Sequence, residues 1–197
     1  LGVKRVVYAS SASVYGDREK LPMHEDDRLN PLTPYCIGKR TGEDILGYYQ
    51  RRSGLSWIAL RFFNVYGEGQ KTTAYYTSVI NHFVNRLKRG EAPVIDGEGK
   101  QSMDFIHVTD IARAVVLSLT SEQANVPINV GTGIDTTVEQ LARILIAAVG
   151  SDVEPEFNPR DVLVSRRAAD ITRAKEVLGF EALVDVNDGM TRLVHNS

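Results

Sequence analysis

The segment PYCIGKR (34–40) sets Tyr35 and Lys39 four residues apart. On a helix that spacing puts both side chains on one face. A tyrosine, with an ordinary pKa of about 10, is a poor base at neutral pH. A neighbouring ammonium favours its phenolate, so the pair can serve as a proton acceptor and donor. The same spacing equally describes a packed tyrosine beside a solvated lysine, and context has to decide. Upstream, YASSASVYG (8–16) follows the apolar run VKRVV and carries the hydroxyls of Ser11 and Ser13 among small residues. Small residues there let a ligand approach the backbone closely. Downstream, FFNVYG (62–67) carries Asn64 at the end of a second apolar run. In a parallel sheet the carboxyl ends of neighbouring strands open onto one crevice, so Ser11, Ser13, Tyr35, Lys39 and Asn64 are expected to converge.

Other reactive residues carry less. His24, His82, His107 and His195 show no metal-ligand spacing, and no metal site is expected. The acidic run HEDD (24–27) reads as a solvated loop. Cys36 has no base assigned to it by the sequence and reads as packing. The stretch NVGTGIDT (129–136) offers Gly131 and Gly133, but Thr136 stands where a dinucleotide turn needs its third glycine. It reads instead as the loop before a helix with a capping box of Thr137 and Gln140.

The elements that must position these residues alternate. Strands are predicted at KRVVYAS, SWIALRFFNVYG, APVIDG, MDFIHV, PINVGTG and EPEFN. The first two read as buried on both faces, typical of a parallel sheet. Helices are predicted from Tyr35 to about Arg52, stopped by Gly54, and over 75–89, closed by Gly90. Further helices are predicted in TDIARAVVLSL with Thr109 or Asp110 as cap, in TVEQLARILIAAVG, in DITRAKEVLGF capped by Asp170, and over 187–195. This pattern predicts an α/β fold: the C-terminal part of a Rossmann-type parallel sheet plus a smaller α/β lobe. The expected division is 1–66 and 67–197, with 103–120 returning to the sheet.

The whole chain sets outer bounds. Its 197 residues suffice for a sizeable core. A net charge of −2 argues against a nucleic-acid partner. No apolar run reaches the roughly 18 residues of a membrane helix. A single cysteine fits a reducing compartment, and a cytoplasmic location is expected.

The ordered set VVYASSASVYG, PYCIGKRTGEDIL, ALRFFNVYGEGQ, PVIDGEGKQSMDFIHVTDIARA, INVGTG and ADITRAKEVLGF resembles the extended short-chain dehydrogenase/reductase family. Within it the likeness is to NAD-dependent sugar-nucleotide epimerases and dehydratases of the UDP-glucose 4-epimerase type. The resemblance implies NAD as cofactor and a UDP- or dTDP-linked sugar as substrate. It implies Tyr35 as catalytic tyrosine, Lys39 as the lysine that binds the nicotinamide ribose and lowers the tyrosine's pKa, and Ser11 as the hydroxyl bonding the reacting sugar. Ala9, Ser10 and Phe63 fall beside the cofactor. Ser13, Asn64, Val94, Ile95 and Arg160 fall beside the substrate.

The dehydratase branch has Asp and Glu after its serine or threonine. Here Ala12 and Ser13 occupy those places, which ranks epimerase above dehydratase and leaves reductase and decarboxylase branches open. Met103 stands where the resemblance implies a diphosphate-binding arginine, with Arg160, Arg166 and Arg167 as candidate substitutes. The glycine-rich turn of the family does not occur in the chain. The expectation is therefore a C-terminal portion, its leading strands preceding Leu1, inactive alone, and associating as a homo-oligomer through an unpaired apolar strand edge. The alternative is a non-catalytic sugar-nucleotide-binding or assembly module.

Overall fold

Three apolar stretches pair in parallel as the main sheet of the computed structural model, which describes residues 2–17, 20–70, 79–161 and 165–196. They are β1 (Arg5–Ser11), β2 (Ser56–Phe62) and β7 (Val126–Val130), in the order β1-β2-β7. The register sets Ser11 opposite Phe62 and Phe62 opposite Val130, so all three carboxyl ends lie together. β2 is central and buried, as its apolar run demands. β1 departs from expectation: among the described residues it has one strand neighbour, and most of its side chains are half-exposed.

The connection between β1 and β2 is α1 (Pro34–Ser53), started by Thr33 and stopped by Gly54 in the left-handed conformation. It packs on the sheet face that carries Trp57 and Ala59, through Leu46. Gly42 makes this approach possible, because a Cβ there would stand 2.3 Å from the Tyr8 hydroxyl. The opposite face is covered by α3 (Val108–Thr120) and α5 (Thr172–Leu178), through Ile111, Ala114, Ala174 and Leu178 against Ile58, Leu60 and Ile128. Burying such side chains stabilises the layer by roughly 1.5–3 kcal/mol each.

β3 (Asn64–Tyr66) continues the chain beyond β2 but pairs with β6 (Phe105–His107) instead of β7. The switch occurs at one residue: Phe63 N still donates to Val130 O at 3.0 Å, while Asn64 N donates to Asp104 O at 2.9 Å. A second core joins α2 (Val79–Leu87), α4 (Val138–Val149) and α6 (Val186–His195) through Phe83, Leu141, Leu145, Met190 and Leu193. Short pairs complete it: β4 (Val94–Asp96) with β9 (Glu156–Asn158), and β5 (Ser102–Met103) with β8 (Thr136–Thr137). The expected helix before Val79 lies outside the described residues.

Several boundaries differ from expectation for visible reasons. MDFIHV is broken at Asp104, whose side chain turns inward. α3 is capped by His107, whose Nδ1 accepts from Thr109 N at 3.3 Å. Asp110 instead accepts from Leu183 N and Val184 N, tying the C-terminal segment to α3. α5 opens after Ile171, although Asp170 still accepts from Thr172 N at 2.9 Å. The Thr137–Gln140 capping box forms as read. β7 and α5 both pack in or on the main sheet, so residues beyond 120 contribute to it as well.

Candidate active site

β1 runs out at Ser11, whose hydroxyl caps a single 3-10 turn, Ala12–Tyr15. β2 runs out at Phe62, and the change of partner after it turns Asn64 into the gap. α1 starts in the same place, because Thr33 Oγ1 accepts from Cys36 N at 3.3 Å and Pro34 occupies the first helical position. Its first two turns therefore project Tyr35 and Lys39 over the ends of both strands.

A cavity of about 570 Å³ results. Ala9, Ser10, Ser11, Tyr35, Lys39, Phe63 and Asn64 line it, with Met103 and Phe105 on the far wall. Tyr35 is 60% exposed and reachable from solvent. Lys39 Nζ donates to Ala9 O at 2.7 Å and sits 5.5 Å from the ring centres of both Tyr35 and Tyr8. Ser13 lies behind Ser11, donating to its Oγ at 2.9 Å. Acceptors, donors and a cation thus face one volume large enough for a small polar ligand.

Four expected contacts are not part of this lining, Ser13 behind Ser11 being the first. Arg160 lies at a separate shallow depression with Gly97, Glu98 and Phe157, and pairs with Asp96 at 3.2 Å. Val94 is half-buried beside it. Ile95 requires a correction: it is 1% exposed within the second core, so its side chain has no free surface for a ligand. Ser10 also changes role, because its hydroxyl is buried and donates to Glu43 Oε1 at 2.5 Å, leaving only its backbone for a ligand.

That last contact belongs to a buried network which the sequence reading missed. Glu43 Oε1 and Oε2 accept from Arg61 Nε and Nη2 at 3.0 and 2.7 Å. Arg61 Nη1 donates to the Tyr15 hydroxyl, which donates to Asn129 Oδ1 at 2.6 Å. Asn129 N donates to Glu25 Oε1 at 2.8 Å. Burial opposes the Arg61 charge, but the Glu43 hydrogen bonds and nearby Tyr15 outweigh it and hold its pKa above the ordinary value. Burial raises the Tyr15 phenol to about 12 against the pull of Arg61. The network fixes α1 against β1 and β2. A signal was present, since Tyr35, Lys39 and Glu43 form one i, i+4 row and Arg61 interrupts a buried apolar run.

The GTG loop is held by Asp104, which is fully buried. Its carboxylate accepts from Thr132 N at 2.8 Å, Thr132 Oγ1 at 2.7 Å, Gly133 N at 2.9 Å and Ala169 N at 3.1 Å. Burial lifts its pKa although these bonds pull it down. A Cβ at Gly131 would stand 2.6 Å from this carboxylate, which accounts for the glycine. Since the loop's N–H groups are spent on Asp104, they are not free to cradle a pyrophosphate.

Comparison with known proteins now decides the family. The family model described as NAD dependent epimerase/dehydratase matches residues 1–131. The chain belongs to this family. This epimerase/dehydratase chain is 35% identical over 195 residues to UDP-glucose 4-epimerase of Mycolicibacterium smegmatis, covering 98% of itself and 62% of that relative. It is 30% identical to UDP-glucuronic acid decarboxylase 1 of Xenopus tropicalis, covering 97% of itself and 46% of the relative. The solved UDP-glucose 4-epimerase of Thermotoga maritima with UDP-glucose matches with a TM-score of 0.91 and 35% identity, over 99% of this chain and 63% of that one. The family member described here therefore spans less than two thirds of these relatives.

NAD is the cofactor of the family, and the residues present fit one end of it. Tyr35, Lys39, the Ala9 and Ser10 backbone and Phe63 surround a space suited to a nicotinamide and its ribose. For the pyrophosphate and adenosine, the described residues hold no glycine-rich turn with free N–H groups.

Proposed function

We propose that this chain carries the catalytic and substrate-binding part of a NAD-dependent UDP-sugar epimerase. The observation that carries the reading is the convergence of Ser11, Tyr35, Lys39 and Asn64 on one cavity at the carboxyl ends of β1 and β2. Bound NAD would supply hydride acceptance and return at the sugar carbon. The chain's own residues would orient the sugar and move its proton. Tyr35 takes the proton from the reacting hydroxyl and gives it back. Ser11 holds the same oxygen from the other side. Lys39, now on Ala9 O, is placed to meet the nicotinamide ribose. Ala12 and Ser13 provide no carboxylate for water loss, which favours epimerisation over dehydration.

The sugar is assigned to the cavity, and the nucleotide end to the neighbourhood of Val94 and Arg160. The exposed Asp96–Arg160 pair is worth at most about 1 kcal/mol and yields readily to a phosphate or base. Met103 on the cavity wall offers no donor to the diphosphate. The setting assigned to this chemistry is cytoplasmic.

A second reading is a module that binds the sugar nucleotide without catalysis, favoured by the GTG loop, whose Thr132 and Gly133 N–H groups are held by Asp104. Calorimetric titration with UDP-glucose, with and without NAD, separates the two. Binding that strengthens with NAD supports the enzyme reading, and binding indifferent to NAD supports the module. No binding in either condition contradicts both.

The exposed Ile37, Ile45, Tyr48 and Tyr49 on α1 support self-association as a homo-oligomer. Light scattering is expected to return at least a dimer mass, and a monodisperse monomer contradicts it.

A further inference from the structure

The ammonium of Lys39 lies between aromatic rings from two elements. Its Nζ stands over Tyr35, on its own helix, and over Tyr8, on β1, 5.5 Å from each ring centre. Alternate side chains of a strand point to one side. Tyr8 and Ser10 accordingly both face α1, Ser10 through its bond to Glu43 and Tyr8 through its approach to Gly42. The residues that meet them, Lys39, Gly42 and Glu43, follow i, i+3, i+4 spacing on α1 and share one face. Gly42 leaves a notch in that face, and the Tyr8 ring fills it: a Cβ at Gly42 would stand 2.3 Å from the phenol oxygen. The ring is thereby fixed between strand and helix, one helical turn from Lys39.

A lysine carries its charge on a flexible stem, and holding that stem in one place costs rotamer entropy. Lys39 is only half-buried, and its one hydrogen bond among the described residues goes to Ala9 O at 2.7 Å. Ring faces attract an ammonium through their quadrupole, so Tyr8 and Tyr35 hold the rest of it. Tyr8 acts here as a neutral ring. Burial first, then the charges of Glu43 and Tyr35, keeps its phenol above the ordinary range, so it does not compete with Tyr35 as an anion. Glu43, the nearest carboxylate on the same face, is taken up by Arg61 of β2.

We infer that Tyr8 is a positioning residue, whose ring, seated at Gly42, holds the Lys39 ammonium beside Tyr35 before any ligand arrives. The inference rests on the proposed function for what Lys39 and Tyr35 then do. It also gives Gly42 a part in the site, since a side chain there would push the Tyr8 ring off its seat.

Proton NMR of the ligand-free chain reads the hold directly, with the ε-CH₂ signal of Lys39 assigned by its loss in Lys39→Met. Protons above a ring face resonate upfield. Tyr8→Leu is expected to move the signal downfield, towards those of solvated lysines, while Tyr8→Phe keeps the ring and most of the upfield shift. A signal unmoved by Tyr8→Leu overturns the inference. The second arm joins this chain to the portion of the Mycolicibacterium smegmatis relative that it does not cover, and follows turnover of UDP-glucose with NAD present. Tyr8→Leu is expected to lower kcat about two- to fivefold near neutral pH, the scale of one cation–π contact, with KM within about twofold. The Lys39 charge favours the Tyr35 phenolate, so the loss is expected to be largest on the acid side and to shrink as pH rises. Tyr8→Phe is expected to restore the parent profile. An equal loss at every pH, or none, overturns the inference. If the joined protein does not turn over UDP-glucose, the functional reading falls while the NMR signal still decides whether Tyr8 holds Lys39.

Discussion

Glu43 and Arg61 grip each other at two points, 3.0 and 2.7 Å, with side chains only 6% and 3% exposed. One residue lies on the helix that carries Tyr35 and Lys39, the other on the central strand that ends beside Asn64. Their contact is thus the joint between the two halves of the candidate site. It also reaches Ser10, one residue before Ser11.

Removing one partner leaves the other charge buried. Glu43→Gln is expected to destabilise the fold by about 3–5 kcal/mol in urea unfolding. The double variant Glu43→Leu with Arg61→Met replaces the pair by apolar groups and is expected to recover most of that loss. A Glu43→Gln chain within about 1 kcal/mol of the native one would contradict the role given to the joint.

Tyr15 gives the network a signature in alkali. Its phenol titrates near 12 in the fold, raised by burial from about 10 when unfolded. Between those values the native state holds a proton that the unfolded chain has released. The contribution is therefore complete below pH 10 and is lost as pH climbs towards 12, by about 2–3 kcal/mol. Tyr15→Phe is expected to flatten that part of a stability-against-pH curve and to lower stability at neutral pH, where its two hydrogen bonds are lost. An unchanged slope above pH 10 would count against the assignment.

Asp104 organises the GTG loop and the segment around Ala169. In Asp104→Asn an amide NH₂ replaces one acceptor oxygen and faces backbone N–H groups. A loss of about 3 kcal/mol or more is expected, with hydrogen exchange at Thr132, Gly133 and Ala169 accelerated together. Exchange confined to global unfolding, with no local acceleration, would refute the clamp.

Tyr66 provides a contrast. Its hydroxyl is buried and has no hydrogen-bond partner among the described residues. Tyr66→Phe is expected to leave stability unchanged or raise it by up to about 1 kcal/mol in thermal or urea unfolding. A clear loss would reveal a partner for that oxygen.

Local rules carried the sequence reading a long way. Helical spacing placed Tyr35 and Lys39 on one face, the Thr137–Gln140 box marked the start of α4, and Gly54 marked the end of α1. The run WIALRFF gave the central strand, but not its change of partner at Phe63, because that depends on β6 and β7 meeting it from distant parts of the chain. The exposure of β1 depends on a neighbour, which its own residues do not specify. Ile95 was assigned to the substrate because its strand was, although alternation along a three-residue strand turns that side chain into the second core. The network of Ser10, Glu43, Arg61, Tyr15 and Asn129 joins residues up to 114 positions apart. Only isolated hints, a glutamate in register with Lys39 and an arginine in an apolar run, pointed to it.

The central claim is that Tyr35 moves the sugar's proton in a cavity shared with Ser11, Lys39 and Asn64. Its most direct test joins this chain to the portion of the Mycolicibacterium smegmatis relative that it does not cover, and measures conversion of UDP-glucose to UDP-galactose with NAD present. The account predicts turnover by the joined protein and a loss of about 10²–10⁴-fold in kcat on Tyr35→Phe, the range of general acid–base catalysis. A Tyr35→Phe protein that turns over as fast as its parent would contradict it.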